Sequence, residues 1–364
     1  MKLQRSGLLA GIALTATLSL VACGSDNETA SSAGGASAAA QNCAAGDLTA
    51  QGSTAQKNAM DEWIKTYQGQ CSNAKINYQG TGSGAGIQAF ISGTADFAGS
   101  DSALKPEEQP QADAKCTGGQ ALNLPMLVGP IAVVYNLDGV DNLQLSASTL
   151  AKIFSGKVTK WNDPAIAAEN TGVQLPATTI ETVHRSDESG TTDNFTKYLS
   201  KTAPADWTYG NAKAWKAPGG TGAAKSDGVA ARVKSTPGTI SYVELSFAEN
   251  SDLKKAKIKN GAGEYTELTP ESAGKTIEGA KVAGTGNDLK LDIDYSTTTP
   301  GAYPIVLTTY EIVCSKGSPK AAAIKGFLTY TSSTGGQASL AELGYGPLPE
   351  SMRSKVAASV AAIS

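Results

Sequence analysis

The segment His184-Arg185-Ser186-Asp187-Glu188-Ser189-Gly190-Thr191-Thr192 gathers side chains suited to holding an oxyanion. Arg185 offers a planar fork of donors that matches tetrahedral oxygens, and Asp187 stands where it can pair with that fork and fix it. Ser189, Gly190 and Thr191 bring hydroxyls and an approachable backbone to what reads as a helix opening. Helix openings carry unpaired N–H groups and a partial positive charge, both favourable to anions. Two upstream segments have the same character. In Gly52-Ser53-Thr54-Ala55 the donors are the Thr54 hydroxyl and the Ala55 N–H; in Gly80-Thr81-Gly82-Ser83-Gly84, Ser83 follows glycines that admit close contact. Each alone also reads as an ordinary helix cap. Three together with an arginine point to anion capture.

Asp101 is the odd member of this set, because a carboxylate beside an anion repels it. It becomes useful when the ligand carries a hydrogen. Monohydrogen phosphate can donate its O–H to Asp101, whereas sulfate meets only like charge, an unpaired arrangement costing on the order of several kcal/mol. The plainer readings are that Asp101 caps a helix near Leu104 and that Asp187 is a surface turn residue.

Each candidate loop follows a strand and opens a helix, the edge at which open α/β sheets bind ligands. Strand patterns cover 47–50, 75–79, 97–100, 122–136, 179–183, 238–243 and 303–314. Helical patterns cover 53–67, 86–92, 105–114, 147–154, 164–168, 192–200, 227–234, 321–328 and 351–363, and 254–291 reads as a hairpin with one helix. This alternation predicts an α/β body with mainly parallel sheets. The two long β runs, 122–136 and 303–314, flank a central block, as in a chain that crosses from one lobe to another and returns. The expected division is 47–127 with 305–364 as lobe 1 and 128–304 as lobe 2.

The N-terminus reads as an export signal. Lys2 and Arg5 precede the apolar run Gly7 to Val21, and Leu20-Val21-Ala22-Cys23 resembles a bacterial lipobox. This predicts a signal peptide over 1–22, lipidation at Cys23, and a Ser/Ala/Gly-rich flexible tether over 23–46. Loss of Lys2 and Arg5 would take the net charge from −3 to −5. Mild acidity without a basic stripe argues against nucleic acid. No later run is long enough to span a membrane, so the chain is expected to be anchored to the outer face of the cell membrane by its lipid. The four remaining cysteines, Cys43, Cys71, Cys116 and Cys314, allow three disulfide pairings. Cys43 and Cys71 each precede a strand expected to be a parallel neighbour of the other, which favours Cys43–Cys71 with Cys116–Cys314. With one histidine and no Cys-x-x-Cys pair, no metal site and no cofactor are expected.

Other readings compete. Gly80-x-Gly82-x-x-Ala85 with Asp101 imitates a dinucleotide fingerprint, although nicotinamide cofactors are scarce outside the cell. His184, Ser186 or Ser189, and Asp187 supply the residue types of a hydrolytic triad, and a secreted phosphate-ester hydrolase using Ser189 as nucleophile is the main alternative. Receptors for another oxyanion form a second alternative, and an adhesin that has kept the fold a third. His184 is better read as a loop residue satisfied by backbone, and Trp207, Tyr209 and Trp215 as lobe packing.

Four segments, 78–84, 96–101 (Asp96-Phe97-Ala98-Gly99-Ser100-Asp101), 161–166 (Trp161-Asn162-Asp163-Pro164-Ala165-Ile166) and 185–191, resemble the periplasmic phosphate-binding protein of the phosphate-specific ABC transporter. They fall in that family's order, from about residue 47 to the C-terminus. The resemblance implies a class II periplasmic-binding-protein fold: two lobes, each a mainly parallel sheet flanked by helices, joined by two crossing hinge strands. It implies that the chain is no enzyme but binds inorganic phosphate as a monomer and delivers it to permease subunits. It places Thr54, Ala55, Ser83 and Asp101 on one wall of the site and Arg185, Ser189, Gly190 and Thr191 on the other, with Asp187 in support. Two departures stand out: Ala55 replaces a bulkier residue, and Glu188 puts a second acid where glycine is common.

Overall fold

The computed structural model describes residues 43–364; the signal peptide expected over 1–22, Cys23 and the tether up to residue 42 lie outside the described residues. The last part of the expected tether, 43–46, belongs to the folded body instead. Cys43 is bonded to Cys71 and Gly46 already opens the first strand, so the disulfide fastens this segment in place.

From the N-terminal side, β1 (Gly46–Gly52), α1 (Lys57–Gln70), β2 (Ala74–Gly80), α2 (Ser83–Ile91), β3 (Phe97–Ser100) and α3 (Gln109–Lys115) lead into β4 (Ala121–Tyr135). Then come β5 (Gln144–Leu145), α4 (Ala147–Phe154), α5 (Pro164–Glu169), β6 (Glu181–Arg185), α6 (Gly190–Thr202), β7 (Thr221–Ala223), α7 (Lys225–Ser235), β8 (Thr239–Glu244) and α8 (Leu245–Asn250). Short pieces follow: β9 (Lys254–Lys255), β10 (Lys257–Lys259), β11 (Tyr265–Thr266), α9 (Pro270–Glu278), β12 (Lys281–Val282) and β13 (Leu291–Asp292). The chain returns through β14 (Val306–Cys314) and ends in α10 (Ala321–Thr331), α11 (Thr334–Ala338) and α12 (Glu350–Ala361).

One sheet runs β2-β1-β3-β14-β4-β8-β6-β7, with β9 also on β4. Each lobe's own strands are parallel: β2-β1-β3 on one side and β8-β6-β7 on the other. The long strands join antiparallel to their neighbours. β4 serves both lobes, because residues 121–130 pair with β14 and residues 131–135 pair with β8. All fifteen of its residues are buried, which is why its sequence reads as a continuous apolar run without alternation. At the crossing, a side-chain carbon on Gly129 would stand 2.4 Å from Leu307 Cδ1, so the glycine leaves room for the Leu307 side chain to lie against β4.

Two large apolar cores lie on either side of this crossing. One gathers Trp63, Tyr67, Phe97 and Phe327 with the C-terminal helices; the other gathers Phe154, Trp161, Phe195 and Tyr242. The helix patterns follow from these cores: Met60, Trp63 and Tyr67 recur on one buried face of α1. Trp215, which faces Phe154 and Tyr242 at ring distances of 5.9 Å, belongs to the second core, as expected of lobe packing. Among the described residues no helix is long and apolar enough to cross a membrane.

The favoured disulfides, Cys43–Cys71 and Cys116–Cys314, are both formed. The second links residues 198 apart, joining the end of α3 to the end of β14. Closing so long a loop restricts the unfolded chain most. Cys116→Ser combined with Cys314→Ser should lower stability by about 2–4 kcal/mol, read as a drop in the calorimetric melting temperature; an unshifted melting curve would contradict this.

Candidate functional site

The site forms where four strand ends meet, those of β1, β2, β3 and β6. β1 ends at Gly52 (φ 144°), where an added side-chain carbon would stand 2.0 Å from the Gly99 carbonyl oxygen, so only glycine lets β1 and β3 approach this closely. The chain then turns through Ser53–Gln56 before α1 begins at Lys57. The helix therefore starts a turn later than expected, and Thr54 and Ala55 lie in the turn ahead of it. The Ala55 N–H donates to Ser53 Oγ at 3.0 Å. Ser83 is the first residue of α2, preceded by Gly82 at φ 99°.

Asp101 follows β3 directly and is buried. It caps no helix near Leu104, since α3 begins only at Gln109. Its Oδ1 accepts the hydroxyls of Ser53 and Thr309, the latter at 3.1 Å. Its Oδ2 accepts the Ser83 hydroxyl at 3.0 Å. Burial pushes this carboxyl up to about 6 against the pull of these donors, and the charge of Glu244 adds to the rise.

On the facing lobe, Arg185 is the last residue of β6, so the strand itself aims the guanidinium. Arg185 is 3% exposed and grips Asp187 with two nitrogens, Nε at 2.7 Å from Oδ1 and Nη2 on Oδ2. Against the upward pull of burial, Arg185 holds the Asp187 carboxyl below its usual range. Ser189 caps α6 by accepting the Thr192 N–H, and the helix begins at Gly190, earlier than the expected 192. The Thr191 hydroxyl donates to Glu244 Oε1. His184 stands within β6, not in a loop; its ring stacks on Trp215 at 4.9 Å and its Nδ1 meets the Arg185 carbonyl at 3.0 Å.

The two walls touch. Gly190 N–H donates to Ser83 Oγ at 3.2 Å, and a side-chain carbon on Gly190 would stand 2.5 Å from Asp101 Cβ. Thr54 Oγ1 lies 2.8 Å from Ser226 Oγ, which accepts from Arg185 Nη1 at 3.3 Å. Asn194 Nδ2 donates to the Asp101 carbonyl at 2.7 Å, and the Gly84 N–H to the Glu188 carbonyl at 3.1 Å. Lys213 is buried and pairs with Glu108 across the cleft at 2.7 Å. Thr54 and Arg185 are thus linked through Ser226, and Asp101 and Gly190 through Ser83. Ala55, Ser189 and Thr191 are turned to Ser53, Thr192 and Glu244. The lobes are closed on one another, with donors on both sides of Asp101.

A family model described as a PBP superfamily domain matches residues 37–334. Over 371 residues the chain is 46% identical to phosphate-binding protein PstS 3 of Mycobacterium leprae (strain TN), with 100% of each chain covered. The chain belongs to the PstS family of the PBP superfamily. Another member, phosphate-binding protein PstS 2 of Mycobacterium tuberculosis (strain ATCC 25618 / H37Rv), is 43% identical over 371 residues with both chains again covered at 100%. A solved high affinity periplasmic phosphate-binding protein (PfluDING), bound with phosphate, shares the fold at a TM-score of 0.69 and 21% identity, covering 86% of this chain and 93% of that one.

This family member uses several polar groups near the cleft that sequence reasoning passed over. Ser53 and Thr309 hold Asp101, Ser226 joins Thr54 to Arg185, and Glu244 takes the Thr191 hydroxyl. The two missed acids carry a visible signal: Glu244 ends, and Glu311 interrupts, a strand with no other charged residue. Glu311 is wholly buried, with the Gln56 side chain as its hydrogen-bonding neighbour. Burial pushes its carboxyl far above the usual range, and the charge of Asp101 adds to this. A raised carboxyl contributes its stability below the unfolded-state value and loses it as pH rises toward the folded-state value. Glu311→Gln should therefore raise the melting temperature at about pH 8 and change it little at about pH 4. Equal shifts at both pH values would refute a neutral Glu311.

Proposed function

We propose that this chain captures inorganic phosphate outside the cytoplasm and hands it to the permease subunits of an ABC transporter. The observation that carries this reading is the closure of the two walls on one another, with Asp101, an acceptor ringed by hydroxyls, on one wall and Arg185 on the other. Arg185 supplies charge, already oriented by Asp187. Thr54, Ala55, Ser83, Ser189 and Gly190 supply hydroxyl and N–H donors, Thr191 adds its backbone N–H, and Asp101 reads the hydrogen that phosphate keeps and sulfate lacks. The names of the PstS relatives support the ligand.

Lobe 1 is assigned to 47–127 with 305–364 and lobe 2 to 128–304, hinged where β4 changes partner and where 303–306 leads into β14. Closing and opening about these strands would trap and release the ion. Lipidation of Cys23 would hold the monomeric receptor at the outer face of the membrane. It is a carrier and not a hydrolase in this reading: Ser189 Oγ serves as a helix cap, and the His184 ring is engaged by Trp215 and the Arg185 carbonyl.

Titration calorimetry with phosphate, arsenate and sulfate at neutral pH tests this reading, with tight binding of the first two and none of the third expected. Arg185→Ala should weaken phosphate at least about 100-fold, and near-native affinity would remove its role. Asp101→Asn should weaken phosphate by about tenfold or less while narrowing its preference over sulfate. Unchanged selectivity, or release of p-nitrophenol from its phosphate ester, would count against the reading.

A further inference from the structure

Glu244 closes β8 at the cleft and is wholly buried. Its Oε1 accepts the Thr191 hydroxyl, and its Oε2 is buried with no hydrogen-bond partner. A carboxylate here is conspicuous, because the cleft already contains Asp101 and Asp187 against a single guanidinium. Nothing in the requirement for anion affinity alone calls for a third acid.

What Glu244 does is fix the direction of a hydroxyl. A threonine hydroxyl has one hydrogen and two lone pairs. With its hydrogen committed to Glu244 Oε1, Thr191 can offer a ligand only lone pairs. Thr191 directly follows Gly190, whose N–H meets Ser83 across the cleft. A residue that looks like a donor in sequence is therefore presented as an acceptor, and the free Oε2 is a further acceptor behind it.

We propose that Glu244 is a positioning residue that turns Thr191 into a second hydrogen acceptor beside Asp101, which lets the cleft hold the form of phosphate that carries two hydrogens. The proposal rests on the phosphate reading above. Inorganic phosphate gives up its second proton near neutrality, so a cleft with two acceptors binds on both sides of that change and a cleft with one favours the dianion. No bond to phosphorus forms or breaks; the extra hydrogen stays on the ligand and points at Thr191.

The groups facing Glu244 come from several elements. They are Arg185 at the end of β6, Asp101 after β3, Thr191 on α6, and Tyr345 near the C-terminus. Glu244's charge raises Asp101, Arg185 and Tyr345. Every variant below keeps Asp101, so its titration is common to all, and the comparison is between their pH profiles.

The test is phosphate affinity by calorimetry at about pH 5.5 and about pH 8.5. The wild-type constants should differ by less than about tenfold. Glu244→Leu cannot accept a hydrogen bond; it should lose at least about tenfold more affinity at the acid pH than at the alkaline pH. Glu244→Gln keeps an acceptor oxygen for Thr191 and should restore the acid-side binding. Thr191→Val preserves shape without the hydroxyl and should reproduce the acid-side loss even if Glu244→Leu does not fold. Parallel profiles for wild type, Glu244→Leu and Thr191→Val would overturn the proposal, as would a wild type that loses affinity in step with the dianion. Absence of phosphate binding by the wild type at either pH would instead overturn the phosphate reading.

Discussion

The site depends on the cost of burying charge. A carboxylate and a guanidinium stripped of water are each expensive, and each must be met by partners of defined geometry. Asp101 is met by the hydroxyls of Ser53, Ser83 and Thr309, and Arg185 by Asp187 and Ser226. These partners come from β14, from segments following β1, β2 and β6, and from the start of α7. Much of the fold can be understood as the scaffold that delivers them to one place.

The sheet topology performs that delivery. Parallel strands place their carboxyl ends on one edge, so the loops after β1, β2 and β3 converge from one lobe and that after β6 from the other. β4 and β14 run through the middle and carry the connection between the two cores. Close approaches of the Gly99 backbone to Gly52, of the Leu307 side chain to Gly129, and of the Asp101 and Ser83 side chains to Gly190 leave no room for a side chain at these glycines, which fixes how near the strands and the two walls can come. The Lys213–Glu108 pair adds a charged contact across the same cleft, away from Asp101 and Arg185 in sequence. Such a buried pair is more telling about register between the lobes than about net stability.

Much of this was legible from local pattern. The strand at 97–100 and the helix at 147–154 match their expected limits, because short buried runs bounded by turns leave little choice. The long β runs also read correctly, since strands buried on both faces lose alternation. Helix starts were harder to place. α1 begins late because Ser53 turns toward Asp101, a partner 48 residues on. α6 begins early because Ser189, and not a later threonine, supplies the cap.

By itself, the sequence determined which chemistry was on offer: an arginine with its own aspartate two residues on, hydroxyls at helix openings, one isolated acid, and cysteines paired by strand neighbourhood. These are local or composition-level facts, governed by propensity and spacing. Tertiary structure alone decided which hydroxyls serve Asp101, that Ser226 bridges Thr54 to Arg185, and that Thr191 faces Glu244. Those pairings join residues from 18 to 208 positions apart, and no local rule encodes them. Only the packing of two lobes brings such groups within hydrogen-bond distance.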